Sequence, residues 1–186
     1  MELKKLMRER RSVHQFENKP VPVELVTELL DTAVWVPNHR MTQPWRFVII
    51  QGEGRHKLAE IVRKFREANE PDPQKAKEIG QKLYDKFMSV PMFIAVILKV
   101  NDNAAIAEED YAAAACLIQN FSLLAWEQGI GMVWETYPLL KLEAFREAFG
   151  VQPDERIIGS LHTGYPGKIP AGQARVSASE RLTVMA

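Results

Sequence analysis

Glu108-Glu109-Asp110-Tyr111-Ala112-Ala113-Ala114-Ala115-Cys116-Leu117-Ile118-Gln119-Asn120-Phe121-Ser122-Leu123-Leu124-Ala125-Trp126-Glu127-Gln128 runs without glycine or proline and stops at Gly129-Ile130-Gly131. Nothing inside it breaks a backbone ladder, and glycine commonly follows a helix end, so the stretch reads as one long helix. Its apolar residues lie all round, which predicts burial on all sides. Four consecutive alanines, Ala112 to Ala115, permit close approach of another helix, including one from a second subunit. Cys116, the single cysteine, sits in this run as an expected buried thiol and cannot form an internal disulfide.

Met92 to Val100 is an apolar run, interrupted only by Lys99, between Pro91 and Asn101-Asp102, as expected of a central strand. Arg46 to Gln51 and Met132 to Trp134 read as shorter strands, and Glu155 to Thr163 as the last, turned by Gly164-Tyr165-Pro166-Gly167. Helices are expected over Leu3–Arg10, from Val23 to a stop at Pro37, over 55–69, from Gln74 to about Phe87, and over Leu142–Phe149. The charged region 66–90 reads as a solvated face or a lid. The last twenty residues are polar and suit an extended arm. Helices and strands interleave without βαβ regularity, so the expectation is an α+β sheet-and-helix sandwich forming one domain over residues 1–186.

Lys+Arg 24 balances Asp+Glu 24. Zero net charge argues against broad electrostatic binding to nucleic acid or to an anionic membrane, though not against a local basic pocket. Met1-Glu2-Leu3-Lys4-Lys5 lacks the apolar core of a signal peptide, and no apolar run approaches a membrane span, so a cytoplasmic protein is expected. The four histidines, His14, His39, His56 and His162, show no short metal-ligand spacing, and no metal site is expected. There is no G-x-S-x-G, no P-loop and no dinucleotide fingerprint.

Two polar stretches remain. Pro37-Asn38-His39-Arg40-Met41-Thr42-Gln43-Pro44-Trp45-Arg46-Phe47 is a stiff connector between helix and strand, with prolines restricting their neighbours. Arg10-Arg11-Ser12 offers two guanidinium forks and a hydroxyl at a helix-to-loop junction, a chemistry suited to phosphate. By itself that tripeptide is more often ordinary solvated surface than a phosphate site.

Together these motifs resemble the nitroreductase family of FMN-dependent oxidoreductases. The likeness is carried by Arg10-Arg11-Ser12-Val13-His14-Gln15-Phe16, by the Pro37 loop ending in Gln43-Pro44-Trp45, and by the Ala-rich helix with Gln119-Asn120 and Gly129-x-Gly131. Gly164-Tyr165-Pro166 followed by Pro170, Arg175 and Glu180 completes it. Pro-Asn-His before the Gln-Pro-Trp step is similar to the small, compact subgroup of NAD(P)H nitroreductases. The sequence departs from the family pattern at Asn38, at Met41, and at His14, where a lysine or arginine is common.

The resemblance implies a domain-entwined homodimer with FMN at the subunit interface and NADH or NADPH as co-substrate. Arg10, Arg11 and Ser12 would hold the phosphate and ribityl end, with Arg175 adding a charge and Lys168 as its substitute candidate. Trp134, Glu135 and Thr136 would pass along the isoalloxazine. The Pro37–Gln43 loop would come from the partner subunit, with His39 reaching the FMN, Gln43 supporting the loop, and Trp35 at the end of the preceding helix adding bulk beside it. No catalytic acid–base residue is named. The implied reaction is ping-pong reduction of a nitroaromatic or quinone-type small-molecule acceptor. The alternatives are a dehalogenase, an enal or azo reductase, a flavin-fragmenting enzyme, a non-catalytic FMN-binding dimer, and a nucleic-acid binder using the basic N-terminal helix. His14 in place of lysine would make the charge at the flavin's pyrimidine edge depend on pH. A flavin potential that stays flat across the histidine range contradicts that.

Overall fold

The computed structural model describes residues 2–185, so Met1 and Ala186 of the expected 1–186 unit lie outside the described residues. In chain order the elements are α1 (Leu3–Glu9), β1 (Gln15–Phe16), α2 (Val23–Ala33), β2 (Trp45–Gln51), α3 (Gly54–Ala68) and α4 (Pro73–Met88). Then follow β3 (Met92–Lys99), α5 (Ala104–Glu127), β4 (Gly131–Glu135), α6 (Glu143–Ala148), β5 (Glu155–Gly164) and β6 (Pro166–Lys168). Four strands form a sheet in the order β2-β3-β5-β4, and every pairing in it is antiparallel. β1 and β6 form a separate two-stranded ribbon.

β3 divides the core. Its side chains alternate, as strand geometry requires. Met92, Ile94, Val96 and Leu98 meet α2 and α5 on one face, while Phe93, Ala95 and Ile97 meet α3, α6 and Phe87 of α4 on the other. Helices on both faces of an antiparallel sheet give the expected α+β sandwich. Residues 66–90 pack against α3, on the face opposite α5. No described helix is long and apolar enough to cross a membrane.

Four expectations change. α5 begins at Ala104 rather than Glu108, because the Asn103 side chain accepts from the Ala105 and Ile106 N–H groups and caps it there. α5 is not buried all round: Ala113, Ala114, Leu117, Ile118 and Phe121 face the core, while Ala112, Cys116 and Gln119 are exposed. Cys116 is therefore a free, exposed thiol. The alanine run has put two small residues inward and left its outer face without cover from its own chain. α2 stops at Ala33, short of Pro37, and Trp35 stands 86% exposed beyond it. Gly164 to Gly167 is not a turn. β5 runs on through Tyr165 into β6, and Gly167 lies so close to the Phe16 backbone that a Cβ there would sit 3.1 Å from it.

Candidate functional site

β4 is an edge strand of the sheet, at the end opposite β2, and the Arg10-Arg11-Ser12 segment is fastened to it. Ser12 bridges Met132 in parallel fashion, and the Val13 N–H donates to the Met132 carbonyl at 3.1 Å. Val13 is fully buried, and a Cβ on Gly131 would come within 2.5 Å of Val13 Cγ2, so only glycine lets the two backbones approach. A segment that follows a seven-residue helix is thereby fixed on the rigid sheet.

This fixes a basic cavity of about 520 Å³, lined by Arg8, Arg10, Arg11, Ser12, Gln173 and Arg175 among others. Arg11 Nη1 donates to the carbonyls of Arg8 (2.6 Å) and Arg10 (2.9 Å), and Gly172 of the tail lies directly against its Nη2. Arg175 Nη1 donates to the Gln173 carbonyl at 3.0 Å. Arg10 Nε is buried with no hydrogen-bond partner among the described residues. Burial first, then the charges of Arg11 and Arg175, hold the Arg10 guanidinium below the usual arginine range. A half-buried cation with one buried, unpaired N–H beside two like charges is costly unless an anion completes the set. Lys168 pairs with Gln15 in the ribbon and does not line this cavity.

Arg10 and Ser12 also line a second cavity of about 150 Å³, closed by Ile118, Gln119, Ser122, Met132 and Trp134. The two spaces therefore adjoin at Arg10 and Ser12, and together they make a trough that leads from the arginines toward the indole of Trp134. Trp134 Nε1 donates to the Ile158 carbonyl at 3.1 Å, which holds the ring flat against the sheet. Glu135 follows along the edge, with Oε1 3.8 Å from His14 Nδ1. Thr136 opens on a different cavity, of about 340 Å³. Ser122 and Gln173 are lining residues that the sequence did not single out. A lone hydroxyl on a helix and an amide in a tail without periodicity carry no signal there.

The Pro37 loop lies elsewhere. Asn120 Nδ2 reaches the carbonyl of Ala33 at 3.5 Å, and the chain then runs back along α5, where His39 Nδ1 donates to Glu109 Oε2 at 2.8 Å and Thr42 donates to Asp110. Glu109 is ~15 Å of helix rise from Gln119 in the trough. Arg40, Met41 and Gln43 all have positive φ, of 60, 49 and 42°. Such backbone is strained for non-glycine residues and persists where surroundings over-determine it. Here the Asn38 carboxamide does so, accepting from the Gln43 N–H at 2.7 Å and donating to the Thr42 hydroxyl at 3.0 Å. So Arg10, Arg11, Ser12, Arg175 and Trp134 meet in one chain, while Trp35 and His39 do not join them.

The nitroreductase family pattern matches residues 7–165. The chain is 37% identical over 184 residues, 98% of its length and 94% of the other, to the Bacillus subtilis protein named "Putative NAD(P)H nitroreductase YfhC". The crystal structure of a nitroreductase-like family protein from Bacillus cereus superposes with a TM-score of 0.88 at 37% identity, covering 100% of this chain and 96% of that one. The FMN and NADPH-dependent nitroreductase NfnB of Sphigopyxis sp. strain HMH shares the fold, with a TM-score of 0.77 at 17% identity and 100% of each chain covered. An antiparallel sandwich, an arginine-lined trough on its edge strand and a family match across most of the length lead to one assignment: the chain belongs to the nitroreductase family.

Proposed function

We propose that this protein is an FMN-dependent oxidoreductase that takes hydride from NADH or NADPH and passes it to a nitroaromatic or quinone-type acceptor in a ping-pong cycle. The observation that carries the reading is Arg10: a half-buried guanidinium whose Nε is buried and unpartnered, lining with Arg11 and Arg175 a cavity of about 520 Å³. That donor set fits a phosphate monoester, and the connected space toward Trp134 fits what a phosphate would be attached to. Arg10, Arg11 and Arg175 would hold the FMN phosphate, Ser12 the ribityl chain, and the Trp134–Thr136 backbone the ring. YfhC is named for NAD(P)H, and NfnB depends on FMN and NADPH; these properties are theirs and support the reading here. When bound, FMN supplies the hydride-accepting and hydride-donating chemistry that no side chain has. The chain's own part is to bind, to orient and to exclude water, and no acid–base residue is assigned.

We read residues 1–186 as one FMN-binding domain that works as a homodimer. Support comes from the exposed small-residue face of α5 at Ala112 and Cys116, and from the apolar residues Trp35, Leu182 and Val184 left exposed in the single chain. In that arrangement Trp35 and His39 of one subunit approach the FMN of the other. The experiment is binding of FMN against riboflavin, followed by flavin fluorescence. FMN binding much tighter than riboflavin binding supports the arginine assignment, and equal affinities refute it.

A further inference from the structure

β4 carries a basic site at each end. Arg10 and Ser12 stand beside Met132 at its start. Past its end, Thr136 borders the separate cavity of about 340 Å³, which Tyr111, Lys141, Arg146 and Arg156 also line. Met132 and Thr136 are ~13 Å apart along an extended chain. The second cavity adjoins a further one of about 370 Å³ that shares Tyr111 and Arg156 and is also lined by Glu108.

Tyr111, Lys141 and Arg156 are exposed, and what distinguishes the groove is the grouping of its cations around one aromatic ring. Arg146 is spent on structure, donating to the carbonyls of Glu155 (3.1 Å) and Gln152 (2.9 Å). Lys141 and Arg156, by contrast, have no ion-pair partner among the described residues, whereas Arg46 pairs with Glu155, Lys99 with Asp154 and Arg146 with Glu143. The Arg156 guanidinium carbon instead lies 5.4 Å from the centre of the Tyr111 ring, within cation–π range. That leaves its planar fork open at the mouth of the groove. An aromatic face, an unpaired fork, an unpaired ammonium and a third fixed cation are suited to a base carrying a phosphate monoester. Such an ester bears nearly two negative charges and three acceptor oxygens, whereas one carboxylate would leave positive charge unmatched.

We propose that the Tyr111–Lys141–Arg156 groove is a subsite for the adenosine 2′-phosphate of NADPH, and that it sets the preference for NADPH over NADH. The assignment rests on the proposed function, because it takes the trough beside Trp134 as the place where the nicotinamide reacts. It adds which co-substrate the protein selects and which residues do so.

The test has one readout that needs no turnover. Adenosine 2′,5′-bisphosphate and AMP are titrated calorimetrically against the purified protein and its Lys141→Ala/Arg156→Ala variant. The wild-type protein should bind the bisphosphate tighter than AMP, and the variant should lose ~10-fold or more in bisphosphate affinity with little change for AMP, as expected for removal of charged phosphate contacts. In steady state the KM for NADPH should rise by a similar factor while that for NADH and the flavin content stay unchanged. Equal binding of the two adenylates, or an unaltered bisphosphate affinity in the variant, overturns the subsite. Tyr111→Phe keeps the ring and should bind like the wild-type protein, which separates loss of phosphate contacts from loss of fold. A protein that binds the bisphosphate at Arg156 but takes up no FMN would keep the subsite and refute the proposed function.

Discussion

The Trp134 indole lies directly on Gly159. A Cβ at position 159 would overlap Nε1 and Cδ1 of the ring, and the indole N–H is already committed to the Ile158 carbonyl. Trp134 pairs with Leu161 across the strands, and its ring reaches diagonally over position 159, where only a residue without a side chain leaves room for it.

Gly159→Ala should therefore push Trp134 off the sheet. Overpacking of this kind costs about 1–3 kcal/mol, and loss of the indole hydrogen bond adds about 1 kcal/mol. The expected outcome is a lower Tm together with weaker FMN binding, read by thermal denaturation with and without added FMN. A variant as stable as the parent, with unchanged FMN affinity, would show that the indole is free to move.

Arg175→Gln separates the two roles of the arginine cluster. Without ligand, removal of one of three mutually repelling cations should leave stability unchanged or slightly higher, since Arg10 is already penalised by burial and by its neighbours. With FMN, one charge-assisted contact is lost, about 1.5–3 kcal/mol or roughly 10–100-fold in Kd. Opposite signs for apo stability and FMN affinity are the signature, checked by melting curves and a fluorescence titration. Arg10→Ala should weaken FMN further still.

Asn38→Ala removes the brace on the strained loop. Gln43 N–H and Thr42 would lose their shared partner at three residues that hold positive φ. Stability should fall by about 1–2 kcal/mol, and hydrogen exchange should speed up over residues 38–43. Slow exchange there in the variant would mean that Asp110 and Glu109 suffice to hold the loop.

His162 predicts acid sensitivity. Burial first, then the charges of Lys86 and His14, lower its pKa to about 3, and the ring is packed among Phe87, Phe93 and Tyr137, with the Tyr137 hydroxyl 3.2 Å from Nε2. Between about pH 6.5 and pH 3 the unfolded chain takes up a proton that the native imidazole does not. Stability therefore falls as pH drops through that window and is flat above it, by about 2 kcal/mol at pH 5. Glu155, held low by Arg46, adds a further loss as pH falls through its own depressed range. His162→Phe should flatten the dependence between pH 7 and pH 5, measured as Tm against pH. A wild-type Tm constant down to pH 5 would contradict the buried neutral imidazole.

Much of the frame is legible from residue order alone. The apolar run Met92–Leu98 reads as a two-faced central strand because both of its faces must be covered, and β3 is that strand. The extent of α5 is harder to read: its start depends on one Asn103 side chain, and its exposed face at Ala112 and Cys116 looks as apolar as its buried one. At the site, Arg10-Arg11-Ser12 is recognisable as a donor set, but the bridge to Met132 that fixes it is a long-range backbone contact with no local pattern. Arg175 reaches the same cavity from a tail without periodicity, so only the folded chain brings it there. The Tyr111–Arg156 groove is invisible in sequence, since its residues come from a helix, a short turn and two strand ends.

The central claim is that the arginine trough binds FMN and that the bound protein takes hydride from a reduced nicotinamide. An anaerobic titration of the FMN-loaded protein with NADPH, followed through the flavin absorption bands, tests it most directly. The account predicts that those bands bleach stoichiometrically and recover on addition of a quinone. A protein that stays colourless with added FMN and gains no thermal stability from it, or a flavin that NADPH and NADH leave oxidised, would contradict it.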